Sequence, residues 1–257
     1  MKTHYKSIFL SDIHLFSRHC KAEILSKFLK EHKSDNLFLI GDILDLEKIK
    51  YNRFYCDKHH IDIIQRILKL TKKGLTQIYY ITGNHDYEVK HLLRYNFNLE
   101  NIQILEEYEY QTHDKKIILL HGDGFDLPII RSLYFIGDFA YSFMLDINHW
   151  FNKFRQLLGL PYWSLSKKLK HSVKDAIKYI EDYENSIYEY CEHKKYDGLI
   201  SGHIHKNRLD FINGKYILNC GDFVETCSAI LETYEGEFIL VEYINNEFKE
   251  IKRIKIK

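Results

Sequence analysis

The chain has 257 residues, 45% of them hydrophobic and 28% charged, with a formal net charge of +1. That length supports one large α/β domain with a well-buried core, or a domain carrying one substantial insertion. A charge balance this close to zero supplies no overall basic field, so nucleic acid is not an expected partner.

Short apolar runs alternate with amphipathic ones over the first 125 residues. Ser7–Leu10 reads as a strand, and Lys21–His32 as a helix with Ile24, Leu25, Phe28 and Leu29 on one face. Asn36–Ile40 reads as a buried strand, Ile61–Lys73 as a helix, and Gln77–Ile81 and Lys115–Leu120 as further strands. This is the rhythm of a layered sheet with helices on its faces. The character changes near Ile129. Ile129–Leu158 and Leu169–His193 carry apolar residues at helical spacing, with Gly159-Leu-Pro161 as a break between them. The sheet pattern resumes at Gly198–Ser201. Hairpins follow, one over Arg208–Cys220 turned by Asn213-Gly214 and one turned at Glu235-Gly236. The expectation is one domain over residues 1–257, with residues 126–195 as a helical insertion or cap. The closing Ile251–Lys257 alternates isoleucine with basic residues, as a terminal strand with one solvated face or a phospholipid-binding tail would.

The five cysteines (Cys20, Cys56, Cys191, Cys220, Cys227) are scattered and form no CxxC pair. That suits reduced thiols in a cytosolic protein. The first apolar run, Ile8 to Leu10, is too short for a signal-peptide core. No stretch of about 18 apolar residues is present to span a bilayer.

Five polar clusters each follow an expected strand: Asp12-Ile-His14, Gly41-Asp42, Gly83-Asn84-His85-Asp86, His121-Gly122-Asp123 and Gly202-His203-Ile204-His205. Ligands of open α/β sheets bind beyond the carboxyl ends of the strands, so these loops are expected to meet at one edge. A pair of divalent cations needs oxygen and imidazole donors, with a carboxylate able to bridge both ions. The Asp, His and Asn residues of these loops satisfy that requirement.

The order DxH, GD, GNHD, HGD, GHxH resembles the calcineurin-like metallophosphoesterases over nearly the whole chain. The resemblance implies a four-layer α/β (α+β) sandwich of two mixed β-sheets flanked by helices, here with a helical cap. It implies that Asp12, His14 and His205 hold one metal, that Asp42 bridges, and that Asn84, His121 and His203 hold the second. It further implies that His85 faces the substrate as an acid or phosphate-contacting group, with Asp86 orienting its ring. Mn²⁺ is the favoured ion; Zn, Fe or Co suit the same mixed donors. Asp45 reads as a loop-ordering group. Asp123 either holds the His121 loop or lies near the substrate. Asp222 either approaches the metals from behind or caps a turn.

Within the family the chain looks most like the UDP-2,3-diacylglucosamine hydrolases and their relatives. The features are the DIHL opening, the HGD cluster, the helical insertion before GHIH, the stretch Gly159 to His171, and GDFVETCSAILE after the hairpin. That resemblance implies cleavage of a nucleotide-linked lipid pyrophosphate to UMP and lipid X, in lipid A biosynthesis. It places the protein in the cytoplasm, with peripheral contact at the cytoplasmic face of the inner membrane. Two positions depart: the lipid A enzymes carry Arg in the slot of His85 and Glu in the slot of Asp45. The aromatic-rich insertion, with Tyr134, Phe135, Phe139 and Trp150, is expected either to cap the crevice as an acyl-chain pocket or to pack as core. The alternatives are a general phosphodiesterase or phosphomonoesterase on soluble nucleotides and, in another class, a non-catalytic interaction scaffold.

Overall fold

A computed structural model describes residues 3–46, 48, 54–72, 76–95, 101–125 and 172–256. The chain divides into two compact units, Met1–Gly124 with Tyr188–Lys257, and Phe125–Ile187. The expected helix over Ile129–Leu158, the break at Gly159-Leu-Pro161 and most of the 126–195 insertion lie outside the described residues.

The larger unit is built on two mixed sheets. The first contains β1 (Thr3–Leu10), β2 (His32–Ile40), β3 (Gln77–Ile81), β4 (Ile102–Leu105), β10 (Ser228–Glu232), β11 (Glu237–Ile244) and β12 (Glu247–Lys255), in the order β12-β11-β10-β1-β2-β3-β4. The second contains β5 (Glu107–Thr112), β6 (Lys115–Leu120), β7 (Gly198–Ser201), β8 (Arg208–Ile212) and β9 (Lys215–Asn219), in the order β5-β6-β7-β9-β8. β1 to β4 run parallel, as do β6, β7 and β9, while the outer strands are antiparallel. The parallel strands of each sheet therefore deliver their following loops to one edge.

The apolar runs are continuous because both faces of the first sheet are covered. Side chains alternate along β1, so Phe9 enters the core between the sheets while Ile8 and Leu10 face the helical side. The inner core stacks Phe9 on Phe38 at 4.9 Å between ring centres and adds Ile117, Leu119, Ile200 and Leu218 from the second sheet. The other face of the first sheet packs on α1 (Ala22–Glu31), through Leu25 and Phe28, and on α2 (Lys58–Lys72), through Ile63. α1 buries Ala22, Leu25 and Phe28, one helical stripe, and carries Glu23 in its first turn and Lys30 in its last, matching the helix dipole. His32 turns extended at its end and leads straight into β2. The polar segment His32 to Ser34 is thereby paired with Thr3 to Tyr5, which lengthens both strands beyond their apolar cores.

Two hairpins close on left-handed pairs, Asn213-Gly214 and Asn245-Asn246. The basic terminal segment is the edge strand β12 of the first sheet. In the smaller unit the described residues are Phe125 and α3 (Ser172–Lys194) as far as Ile187; the ring of Phe125 meets Tyr183 edge-on at 5.9 Å. Among the described residues no helix is long and apolar enough to cross a bilayer.

Candidate metal centre

Each cluster follows a strand directly: Asp12 follows β1, Asp42 β2, Asn84 β3, His121 β6 and His203 β7, while Asp222 follows β9. Backbone bonds lace the loops together. Asp12 and His14 donate to the carbonyls of Gly41 and Asp42, Gly202 donates to His121, and Phe223 donates to Asp12. The loops are also strained. Asp12, His14, Asp42, His203 and His205 all hold left-handed φ angles, between 49° and 71°. Such angles are uncommon for non-glycine residues and cost about 1–3 kcal/mol each, so they mark a place where the fold imposes a geometry. Close approach fixes the preceding residues as well: a Cβ on Gly83 would lie 2.2 Å from Asp42 Oδ1, and one on Gly202 would lie 2.2 Å from Asp12 Oδ2.

The two central carboxylates divide their oxygens between backbone and site. Asp12 Oδ2 accepts the His203 N–H at 2.9 Å, leaving Oδ1 3.3 Å from His205 Nε2. Asp42 Oδ1 accepts the His85 N–H at 2.9 Å. Its Oδ2 then faces three imidazoles, His121 Nε2 at 3.3 Å, His14 Nε2 at 3.9 Å and His85 Nε2 at 4.0 Å. His203 lies beside His121, with ring centres 5.1 Å apart. Burial works against ionisation of Asp42, but His121 outweighs it and holds its carboxyl well below the usual range. Burial likewise works against a charged His121, and Asp42 outweighs it. His14 is pushed by burial down to about 3 and so presents a neutral ring, the form that ligates metals.

His85 and Asp86 correct one expectation. Asp86 does not orient the His85 ring. It is fully buried, and its carboxylate accepts from Gly83 N–H at 2.6 Å, Ile43 N–H at 2.8 Å, Tyr80 O–H at 2.5 Å and, at longer range, Leu44 N–H. It ties the loop after β3 to the loop after β2. Asp45 faces the other side of the His85 ring, with Oδ1 3.5 Å from His85 Nδ1 and Oδ2 3.9 Å from His14 Nδ1. Asp45 also accepts the Lys48 N–H within its own loop. His121 is held similarly, its Nδ1 3.2 Å from the Ile40 carbonyl oxygen. Partners at Nδ1 of this kind turn Nε2 toward the centre.

Asp222 divides its two oxygens. Oδ1 accepts the N–H groups of Val224, Glu225 and Thr226, capping that turn, while Oδ2 lies 3.9 Å from His205 Nδ1. Asp123 sits half-buried in the short 3-10 turn Asp123–Phe125, where its charge adds to that acting on His121.

Whether these residues suit metal ions is answered by their unmet donors. Asp12 Oδ1, His14 Nε2, Asn84 Oδ1 and His121 Nε2 are buried with no hydrogen-bond partner. Among the described residues the ionic neighbours of Asp12 and Asp42 are histidines, with no lysine or arginine paired to them. Glu232 provides a comparison within the same molecule. It too is fully buried, yet Lys6, Thr112 and Tyr110 satisfy it. Buried charges are costly unless paired, so the Asp12–Asp42 cluster calls for cations where Glu232 does not. Three overlapping groups have ligand atoms close enough to share an ion: Asp12, His14 and His205; His14, Asp42 and His85; and Asp12, Asp42 and His121.

Two facing mixed sheets that gather carboxylates, imidazoles and an amide at their strand ends define a protein of the divalent-metal phosphoesterase type. The chain belongs to the calcineurin-like phosphoesterase family, whose model matches residues 5–207. Comparison with curated proteins gives no match. Among solved structures it is similar to Vps29 from Chaetomium thermophilum, with 9% identity over 96% of each chain and a TM-score of 0.51. It is also similar to YfcE, a phosphoesterase from E. coli, with 15% identity over 98% of this chain and 99% of that one and a TM-score of 0.50. A Vps29 double mutant from Entamoeba histolytica gives 16% identity, the same coverages and a TM-score of 0.50. At these identities the likeness is one of fold.

Proposed function

We propose that the chain hydrolyses phosphate esters or pyrophosphates with two divalent cations. The observation that carries this reading is the convergence of unpartnered buried donor atoms around Asp12 and Asp42. Asp12, His14 and His205 would hold one ion and Asn84, His121 and His203 the other, with Asp42 available to both. When bound, the ions neutralise the phosphate oxygens and activate a water for in-line attack.

The protein's own groups do the rest. His85 presents Nε2 at the edge of the cluster, where a proton held there can pass to the departing oxygen. Asp45 sits behind Nδ1 of His85 and fixes which nitrogen faces the substrate. Mn²⁺ is the proposed ion, with Zn, Fe or Co able to occupy the same mixed donor set.

On the substrate, the motif resemblance supports UDP-2,3-diacylglucosamine, cleaved to UMP and lipid X by a cytoplasmic enzyme in peripheral contact with the inner membrane. His85 and Asp45, standing where the lipid enzymes carry Arg and Glu, favour the second reading, a phosphodiesterase or phosphomonoesterase acting on soluble nucleotides. The test is Mn²⁺-dependent hydrolysis of UDP-2,3-diacylglucosamine beside bis-p-nitrophenyl phosphate and a set of nucleotides. UMP release far faster than generic ester cleavage supports the lipid substrate. Generic or nucleotide cleavage without lipid turnover rejects it, and no cleavage of any of them rejects the phosphoesterase reading itself.

A further inference from the structure

We propose that an aromatic rim beside the metal centre is a subsite for the planar, base-like part of a nucleotide substrate, an inference that rests on the phosphoester reading above. The rim grows out of the metal loop itself. Phe16 lies two residues after His14 and continues the left-handed run of that loop, with φ 77°. Its carbonyl accepts the Tyr55 N–H at 3.0 Å, and its ring packs against Phe54 at 5.0 Å between centres. Phe54 is 51% exposed and Tyr55 37%. Arg18, exposed on the same loop, holds its guanidinium 6.0 Å over the Tyr55 ring. The rim thus presents flat apolar faces and a cation, which suits an anionic ligand with an aromatic body.

A second, independent feature lies behind these rings. His60 is only 1% exposed, stacked on Phe16 (6.4 Å, 14° between planes) and edge-on to Tyr55 (5.6 Å, 78°). Its Nδ1 is 2.8 Å from Asp57 Oδ1, which also accepts the N–H groups of His59 and His60 at the start of α2. Nε2 therefore points away from Asp57, within the aromatic cluster, and it is buried with no hydrogen-bond partner. Asp57 presents both its carboxylate and its N–H to Nδ1, so Nε2 can donate or accept. Plain packing leaves such a group unexplained, since the native rule is that buried polar atoms find partners. The polar edge of a base supplies that partner, while Phe54 and Tyr55 supply the stacking face.

The experiment is calorimetric titration of the Mn²⁺-loaded full chain with α,β-methylene-ADP, with methylenediphosphonate, which lacks the nucleoside, and with octyl phosphate. The nucleotide analogue is expected to bind at least tenfold more tightly than methylenediphosphonate. Phe54→Ser, at an exposed position, and His60→Asn should each remove most of that margin while leaving methylenediphosphonate affinity unchanged. Equal binding of the first two ligands overturns the proposal. So does an equal loss for both ligands in Phe54→Ser, or tighter binding of octyl phosphate with the same dependence on Phe54, which would make the rim an alkyl-chain site. Turnover of bis-p-nitrophenyl phosphate by the unmodified protein separates the two levels. If turnover is absent and the nucleotide margin present, the hydrolytic reading fails and the subsite stands; turnover without a margin has the reverse meaning.

Discussion

Asp45 and His85, forty residues apart in sequence, meet through a carboxylate oxygen and Nδ1 at 3.5 Å, and the second oxygen of the same carboxylate faces Nδ1 of His14 at 3.9 Å. One carboxylate thus faces the Nδ1 edges of an expected metal ligand and of the expected acid together. Asp45→Asn keeps the shape but loses the charge. It should lower kcat by about 10–100-fold, the range seen when a partner behind a ligand is removed. Steady-state kinetics checks this, and an unchanged kcat would mean that Asp45 only orders its loop.

Asp86 has a different task, and its loss should be read in stability. Asp86→Ala strands buried donors from Gly83, Ile43 and Tyr80, and unsatisfied buried groups cost about 1–3 kcal/mol each. Urea denaturation should therefore show a loss of several kcal/mol. A variant as stable as the parent protein would contradict the tethering role.

His85 and Asp42 should separate chemistry from metal binding. His85→Ala is expected to slow turnover by about 100-fold or more, the contribution typical of a positioned acid or base, while metal content stays nearly intact. Asp42→Ala should lose metal at both sites, because its Oδ2 is the atom around which His14, His85 and His121 gather. Metal analysis of the purified variants decides; equal losses in the two would contradict the division of roles.

The buried carboxylates also predict a thermal response. Stripping metal leaves Asp12 and Asp42 with histidine neighbours alone, so Tm should fall on chelation and recover when Mn²⁺ is restored. Ion at about 100 times its Kd adds about 2.7 kcal/mol per site. A Tm indifferent to chelator would count against the cation sites.

The thiols give a check on the fold alone. Cys20, Cys191, Cys220 and Cys227 are buried, and burial pushes the Cys191 thiol up to about 11 and that of Cys227 up to about 12. Cys56 alone of the five is partly exposed. A thiol reagent should label Cys56 rapidly in the folded protein and the others only on unfolding.

Much of this was legible from sequence where apolar runs were compact. β3, β6 and β7 have the bounds read for them, because a compact run of Ile, Leu or Tyr lies within each. β4 and β5 escaped notice because glutamates and glutamines alternate with Ile102, Ile104, Tyr108 and Tyr110; that period of two is itself a half-buried strand signal. At the site, residues at strand ends were found because each motif sits next to its strand. The partner of His85 was not, because its neighbour Asp86 was the nearest carboxylate in sequence while Asp45 arrives from another loop. Nothing in the sequence sets His60 apart from the other histidines, since its burial and its lone Nε2 exist only once Phe16 and Tyr55 are brought to it.

The central claim is that the Asp12–Asp42 cluster is a two-ion hydrolytic site. Its most direct test is a titration of metal-stripped protein with Mn²⁺, following bis-p-nitrophenyl phosphate hydrolysis against equivalents added. Activity should rise from baseline and level off at two ions per chain, and Asp42→Ala should stay at baseline throughout. Full occupancy by two ions without hydrolysis, or hydrolysis undiminished in Asp42→Ala, would contradict it.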